Sequence, residues 1–417
     1  MNVEKYRVSK YNLYFADDSG QKFIWNSVSN ILESVNEHDY IRISSGNCYD
    51  ISNEKKKDYL KSGFLVQTCM DETKEILRKI YYHSNYAMPY YRILTTTGCN
   101  ATCDYCYEKG LSIQNMSIDT AVATADFIGR RAEETVSVLE WFGGEPLMNA
   151  DVINIICEQL KSRNLQYKSV MESNGILFDD DMISCAVELW NLKSVQITLD
   201  GVGRQHEAVK KLDQGTFDKI IQNIHKLLEA GIKVNIRIIH VGDMERESEV
   251  IYFLDREFPV AERRPAVHIS PFYKAGKSYR PDYVKQIMLL NKILLETNFI
   301  REEQLYDLSK YSGRCFASTI NGYTIAPDGT FYNCSHNMSP SQRTGSIWSR
   351  EEHNEIRKEF VFRNMSNECT NCILFPICQG GCRVADMKLA PMTQCHIFKN
   401  VVKDVLQERL RYANTNH

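Results

Sequence analysis

No stretch of this 417-residue chain approaches the ~20 apolar residues that a bilayer-spanning helix needs. The opening Met-Asn-Val-Glu-Lys-Tyr-Arg lacks the apolar core of a secretion signal. Both absences lead to the expectation of a cytoplasmic protein. An excess of one charge is missing as well: 50 Lys and Arg face 53 Asp and Glu, a net −3. Nothing in that balance supports a nucleic-acid or membrane partner. The chain has no low-complexity tract and no repeat beyond an alternation of strand and helix patterns. With 43% hydrophobic residues, it has the material for sizeable cores, and its length predicts two or three domains.

Cysteine is plentiful but unevenly placed. Of the fourteen, three fall at 99–106 and seven between 315 and 395, and none lies between Cys185 and Cys315. In a reducing compartment such clusters bind metal more often than they form disulfides. Cys48, Cys69, Cys157 and Cys185 stand in apolar or amphipathic contexts and read as small core residues.

Residues 1–89 read as an α+β module. Two strand patterns, 11–15 and 22–26, flank the turn Asp17-Asp18-Ser19-Gly20, and helical patterns follow at 27–35, 53–62 and 71–83. This module reads either as a winged-helix-like peptide-binding element or as a cover for the next domain. From 90 to about 280 six strands alternate with helices: 92–97, 136–142, 167–171, 194–199, 233–240 and 265–272. That order predicts an α/β fold, a partial (β/α)6 TIM-like barrel, with special residues at the C-terminal strand ends. A helical bridge is predicted at 281–310, and an irregular cysteine-rich domain ending in a helix at 311–417.

The first cysteine group, Cys99-x3-Cys103-x2-Cys106 with Tyr105 before its last member, follows a strand. Structural zinc and most iron–sulfur clusters take four cysteines, so three leave one iron of a cubane open to a reacting ligand. Half a zinc site and unrelated buried thiols are the plainer readings. The pattern resembles the radical S-adenosylmethionine (SAM) superfamily. Membership implies a [4Fe–4S] cluster on Cys99, Cys103 and Cys106, with SAM on the fourth iron, cleaved to a 5′-deoxyadenosyl radical. Gly143-Gly144-Glu145-Pro146 resembles the superfamily's site for the SAM amino group. Ser173, Asn174 and Thr198 match positions lining SAM, and Tyr105 the aromatic position near adenine. Lys210 stands where relatives with peptide substrates carry a SAM-binding Arg; it keeps the charge and loses the bidentate fork. His206, Glu207 and Lys210 read otherwise as solvated helix residues.

The second group, Cys315, Cys334, Cys369, Cys372, Cys378, Cys382 and Cys395, is similar to the SPASM domain of peptide and protein maturases. The resemblance implies two auxiliary [4Fe–4S] clusters, making three in all. An outer one would lie on Cys369, Cys372, Cys378 and Cys395, and an inner one on Cys315, Cys334 and Cys382. Sulfatase-activating relatives add a cysteine six residues before the Cys315 position and an Asp base after the Cys334 position. Here Ser309 and Ser335 stand there, with His336 next to the latter. These departures imply an open inner iron, to which a substrate thiolate can bind, and disfavour formylglycine formation by that route. The chain is therefore expected to be a radical SAM maturase of a ribosomally made precursor peptide. It would install a thioether or other cross-link, with an electron donor such as flavodoxin or ferredoxin. The alternatives are a maturase of a sulfatase or quinone-cofactor protein, and a non-enzymatic iron–sulfur redox carrier or sensor.

Overall fold

Strands of alternating pattern and amphipathic helices become two compact units in the computed structural model. It describes residues 5–106, 108, 112–132, 135–259, 263–271, 281–305, 308, 314–349, 355–384 and 402–411. The units do not follow chain order. One comprises Met1–His83, Tyr306–Arg314 and Arg363–His417; the other comprises Ser84–Leu305 and Cys315–Phe362.

The first unit begins with β1 (Tyr6–Val8), β2 (Asn12–Ala16), β3 (Lys22–Asn26) and β4 (Ile31–Ser34), then α1 (Glu37–Ser44), α2 (Asn53–Lys61) and β5 (Leu65–Gln67). β2, β3 and β4 form an antiparallel sheet, and β1 pairs with β5. The helix expected over 27–35 is instead a turn followed by β4. Asn26 Oδ1 accepts the Val28 and Ser29 amides, and Asn30 takes φ +58°. A short run such as Ile31-Leu32 fits either period, and pairing with β3 decides for strand. The helix pattern at 71–83 becomes α3 (Glu72–Tyr86), which begins in this unit. Residues 363–384 pack here as well. Phe375 joins Tyr11, Ile76 and Ile80 in one core, and Tyr11 donates its hydroxyl to the Thr370 carbonyl at 2.9 Å.

The second unit is built on six parallel strands: β6 (Tyr90–Thr96), β7 (Ser137–Gly143), β8 (Tyr167–Ser173), β9 (Leu192–Thr198), β10 (Lys233–His240) and β11 (Ala266–Pro271). Between them run α4 (Ile118–Arg131), α5 (Ala150–Ser162), α6 (Asp180–Glu188), α7 (Arg204–Lys210), α8 (Thr216–Glu229) and α9 (Met244–Glu257). The expected partial barrel is present, each strand within a few residues of its expected place. The helical bridge is interrupted: α10 (Pro281–Glu296) ends before Asn298 at φ +59°, and α11 (Glu302–Leu305) is short.

β12 (Gly322–Ile325) joins β6 in parallel and carries β13 (Thr330–Tyr332) and β14 (Gly345–Ser346), completing a nine-stranded sheet. Gly329, at φ +82°, makes the β12–β13 turn. Tyr323 and Phe331, both fully buried, pack on Phe127 of α4 at ring distances of 5.2 and 4.6 Å. The hairpin between Cys315 and Cys334 is thereby part of the barrel's own core. Among the described residues no helix is long and apolar enough to cross a membrane.

Phe331→Ala is expected to lower unfolding stability by about 3–5 kcal/mol, as for other buried aromatic truncations, and Phe331→Leu by much less. Urea unfolding of the two variants followed by tryptophan fluorescence checks this.

Candidate active site

Outward positions of the parallel strands, such as Leu139, Trp141, Met171, Ile197 and Ile236, pack against the helices. Their C-terminal ends meet the 97–115 loop that carries Cys99, Cys103 and Cys106. That loop is closed at its root. The Thr97 amide donates to the Gln114 carbonyl at 2.9 Å, and the Met116 amide to Thr95. At the end of β7, Gly143 (φ +137°) and Gly144 let backbone pass backbone. A Cβ on either would stand 2.1 Å from the Thr96 carbonyl oxygen or 2.2 Å from that of Gly98. The Gly144 and Glu145 amides use the contact, donating to Thr96 and Gly98 carbonyls at 3.1 and 2.9 Å.

Glu145 is fully buried. Its carboxylate accepts the Asn174 amide at 2.7 Å, the Leu147 amide at 3.2 Å and the Ser173 hydroxyl at 3.0 Å. Three residues named from the sequence thus meet in one knot between β7 and β8. Burial pushes the Glu145 carboxyl up from its usual 4.5 to about 7, against the pull of these donors and of Lys210. Asn174 reaches further: its amide donates to Asn100 Oδ1 at 2.6 Å and lies 3.9 Å from Cys99 Sγ.

A second knot holds the middle of the loop. The Tyr105 hydroxyl donates to Asp200 Oδ2 at 2.6 Å, and Lys210 Nζ stands 3.1 Å from the same oxygen and 3.3 Å from the hydroxyl. The Thr102 amide donates to the Lys210 carbonyl at 3.1 Å. Burial alone would raise the Asp200 carboxyl; Lys210 and Tyr105 outweigh it and hold it below the usual carboxylate range. Burial, and then Asp200, push the Tyr105 phenol far up. His206 is fully buried, and its Nδ1 accepts the Asp200 amide at 3.2 Å. Burial and the Lys210 charge push it down to about 3, which leaves it neutral. The expectation of solvated helix residues is therefore corrected: His206, Glu207 and Lys210 are all buried. The inward facing of α7 escaped because its inward side chains are polar. Glu207 serves the fold, accepting the Gly215 amide at 2.7 Å.

Below these knots the inward face of the barrel is polar. Arg92 makes a two-pronged pair with Glu140, both bonds 2.7 Å, reaches Glu172 at 3.3 Å, and donates to Ser335 Oγ at 2.9 Å. Arg237 Nε donates to Thr198 Oγ1 at 2.9 Å. The sequence reading gave no role to Arg92, Glu140, Glu172 or Arg237. Their signal was a charge at alternate positions of otherwise apolar strands.

Every described cysteine is an unbridged thiol. Among the described residues no three His, Cys, Asp or Glu side chains converge as ligands of a single metal ion. The three loop thiols fit a cluster by their chemistry. Cys99 Sγ accepts the Ala101 amide at 3.4 Å, a bond that strengthens on a thiolate. Burial pushes that thiol up to about 11, so loading must displace a proton. Cys372 repeats the pattern in the other unit, accepting the Leu374 amide at 3.5 Å. Cys369 and Cys378 are half-buried beside it in sequence, on α12 (Asn367–Thr370) and α13 (Phe375–Cys378). Cys315 and Cys334 lie in the barrel unit and Cys382 in the other. Cys395 and Ser309 lie outside the described residues.

Residues 93–256 match the Radical SAM superfamily. A GTP 3′,8-cyclase of Clostridium perfringens (strain SM101 / Type A) is 24% identical over 66% of this chain and 89% of its own. A cysteine-type anaerobic sulfatase-maturating enzyme of Clostridium novyi (strain NT) is 23% identical over 69% of this chain and 86% of its own. Native anSMEcpe with bound AdoMet superposes with a TM-score of 0.63 at 18% identity, over 78% of this chain and all of its own. Streptococcus suis SuiB bound to precursor peptide SuiA gives 0.53 at 15% identity, over 92% and 97%.

Lys210→Met leaves the Asp200 carboxylate buried without its cation and is expected to cost about 3–5 kcal/mol, read as a lower urea midpoint. Glu145 binds a proton more tightly folded than unfolded. Its contribution to stability is therefore full below about 4.5 and lost as pH rises through about 7. Glu145→Gln is expected to flatten that part of the pH–stability curve of the SAM-free protein, by on the order of 3 kcal/mol, in urea midpoints measured from pH 4 to 8.

Proposed function

Since residues 93–256 belong to the radical SAM superfamily, we propose that this enzyme is a maturase that cross-links a ribosomally made precursor peptide, forming a thioether. The observation that carries the reading is the pairing of two thiol sets. The three-cysteine loop is fixed to the barrel mouth through Tyr105 and Asn174, and a second set lies in the segment 315–395. When bound, a cluster on Cys99, Cys103 and Cys106 with SAM supplies a hydrogen-atom acceptor, and clusters on the later cysteines supply a one-electron acceptor.

The chain's own groups do the rest. Tyr105, Asp200 and Lys210 hold the loop against β9 and α7, and Glu145 ties it to β8 through Asn174 and Ser173. The glycine pair brings the β6 and β7 ends close enough to exclude water between them. Thr198 and Arg237 face the interior beneath. The neighbours bear on the substrate, because SuiB was solved with a precursor peptide on a fold this chain shares over most of its length.

Sulfatase activation is the second reading, favoured by the Clostridium novyi relative. Against it, Ser335 occupies the position of the base expected from the resemblance. Ser335 is buried and takes a hydrogen bond from Arg92, and a serine hydroxyl is a poor base at neutral pH.

Anaerobically reconstituted, reduced protein is expected to convert SAM to 5′-deoxyadenosine and methionine, read by chromatography. Absence of 5′-deoxyadenosine would refute the reading. Co-expressed with short cysteine-containing open reading frames from its genomic neighbourhood, the enzyme is expected to remove two hydrogen atoms per bond formed from one of them, read by mass spectrometry. A gain of carbonyl at a cysteine or serine, without a cross-link, would favour the sulfatase reading.

A further inference from the structure

The interior of a (β/α) barrel is ordinarily packed with branched apolar side chains. Here the inward positions of four adjacent strands carry Glu172, Thr198, Arg237 and His268. The register places Thr198, Arg237 and His268 side by side across β9, β10 and β11. Their strand neighbours Ile197, Ile236 and Val267 point the other way, into the helix-packed core. Alternation therefore aims these polar groups into the barrel.

The interior charges are not equally engaged. Arg92 and Glu140 retain 13% and 6% of their side-chain exposure and satisfy one another with two short bonds. Arg237 and Glu172 retain 33% and 25%, and their contact is stretched to 3.5 Å. Arg237 spends Nε on Thr198, while its Nη2 makes no hydrogen bond among the described residues. His268 is exposed and makes none there either. In its neutral form the His268 imidazole has one N–H to donate. β11 is the last strand of the sheet, so this corner adjoins the open edge of the barrel.

The Arg237 Nη2 and an imidazole N–H, adjacent and without hydrogen bonds to described residues, make a receptor for an anionic oxygen pair. We propose that Arg237 and His268 form a carboxylate seat for the substrate peptide, taking an Asp or Glu side chain or the free C-terminus. The seat rests on the peptide-maturase reading and adds to it a preference for an acidic anchor near the residue to be modified. Lys210 has its ammonium held by Asp200 and Tyr105, so the carboxylate of SAM is the other source of the same chemistry. The test separates the two.

A random-sequence dodecapeptide mixture, in free-acid and C-amidated forms, is dialysed against SAM-loaded wild-type protein and against Arg237→Gln, Arg237→Glu, Arg237→Lys and His268→Ala. Retained peptides are sequenced by mass spectrometry. The wild type is expected to enrich acidic residues, or the free C-terminus, by roughly tenfold, as for one charge-assisted hydrogen-bonded pair. Arg237→Gln and His268→Ala flatten the enrichment, Arg237→Lys keeps part of it, and Arg237→Glu turns it towards Lys and Arg. Peptides retained with no acidic preference, or with a preference that survives Arg237→Gln, overturn the seat and leave the maturase reading standing. The seat is equally overturned if Arg237→Gln weakens SAM about tenfold and leaves decarboxylated SAM unaffected, since the carboxylate is then that of SAM. If the wild type retains no peptide at all, the peptide reading itself fails.

Discussion

The buried carboxylate of Asp200 is the constraint on which the loop geometry depends. A charge placed that deep persists only with a cation and good donors around it. Here Lys210 supplies the cation, Tyr105 a short hydrogen bond, and His206 fixes the Asp200 backbone. Tyr105 belongs to the cysteine loop and Lys210 to α7, so satisfying one carboxylate also decides where Cys103 and Cys106 stand. The Thr102–Lys210 backbone bond adds a second attachment at the same helix end. Substituting Lys for Arg at this position is thus no mere weakening of a ligand. A guanidinium is a wide planar fork, whereas an ammonium can sit between one carboxylate oxygen and one phenol, as it does here.

The same logic separates the charges inside the barrel. Arg92, flanked by Glu140 and Glu172 and capped by Ser335, is committed in every direction that the fold offers. It lies 4.3 Å over the Phe142 ring as well. Such a residue organises strands. Arg237, one strand from the open edge, keeps a donor in reserve. Two arginines of one barrel therefore have different work, and the difference lies in how many acceptors the neighbouring strands place within reach.

Much of this was legible in the sequence. The six parallel strands follow from their period and from the order in which they alternate with helices. What escaped shares one cause, since pairwise satisfaction of polar groups leaves no periodic trace. His206, Glu207 and Lys210 look like solvated helix residues until α7 is seen turned inward. The stretch 27–35 looks helical until Asn30 takes a left-handed conformation and pairing with β3 claims Ile31 and Leu32. The grouping of 363–384 with the N-terminal strands has no local signal either. It is written in distant contacts such as Phe375 on Tyr11.

Ser335 shows how these threads meet. It follows Cys334, at a position where the resemblance led to the expectation of an acid, and as a serine it could have been simply inert. Instead it is buried and accepts from the cation that also holds Glu140 and Glu172. An aspartate here would compete with Glu140 for Arg92 and would draw the guanidinium away from β7. The serine leaves the Arg92–Glu140 pair intact and contributes a single neutral acceptor. The cysteine hairpin β12–β13 thus reaches the barrel interior through an uncharged contact.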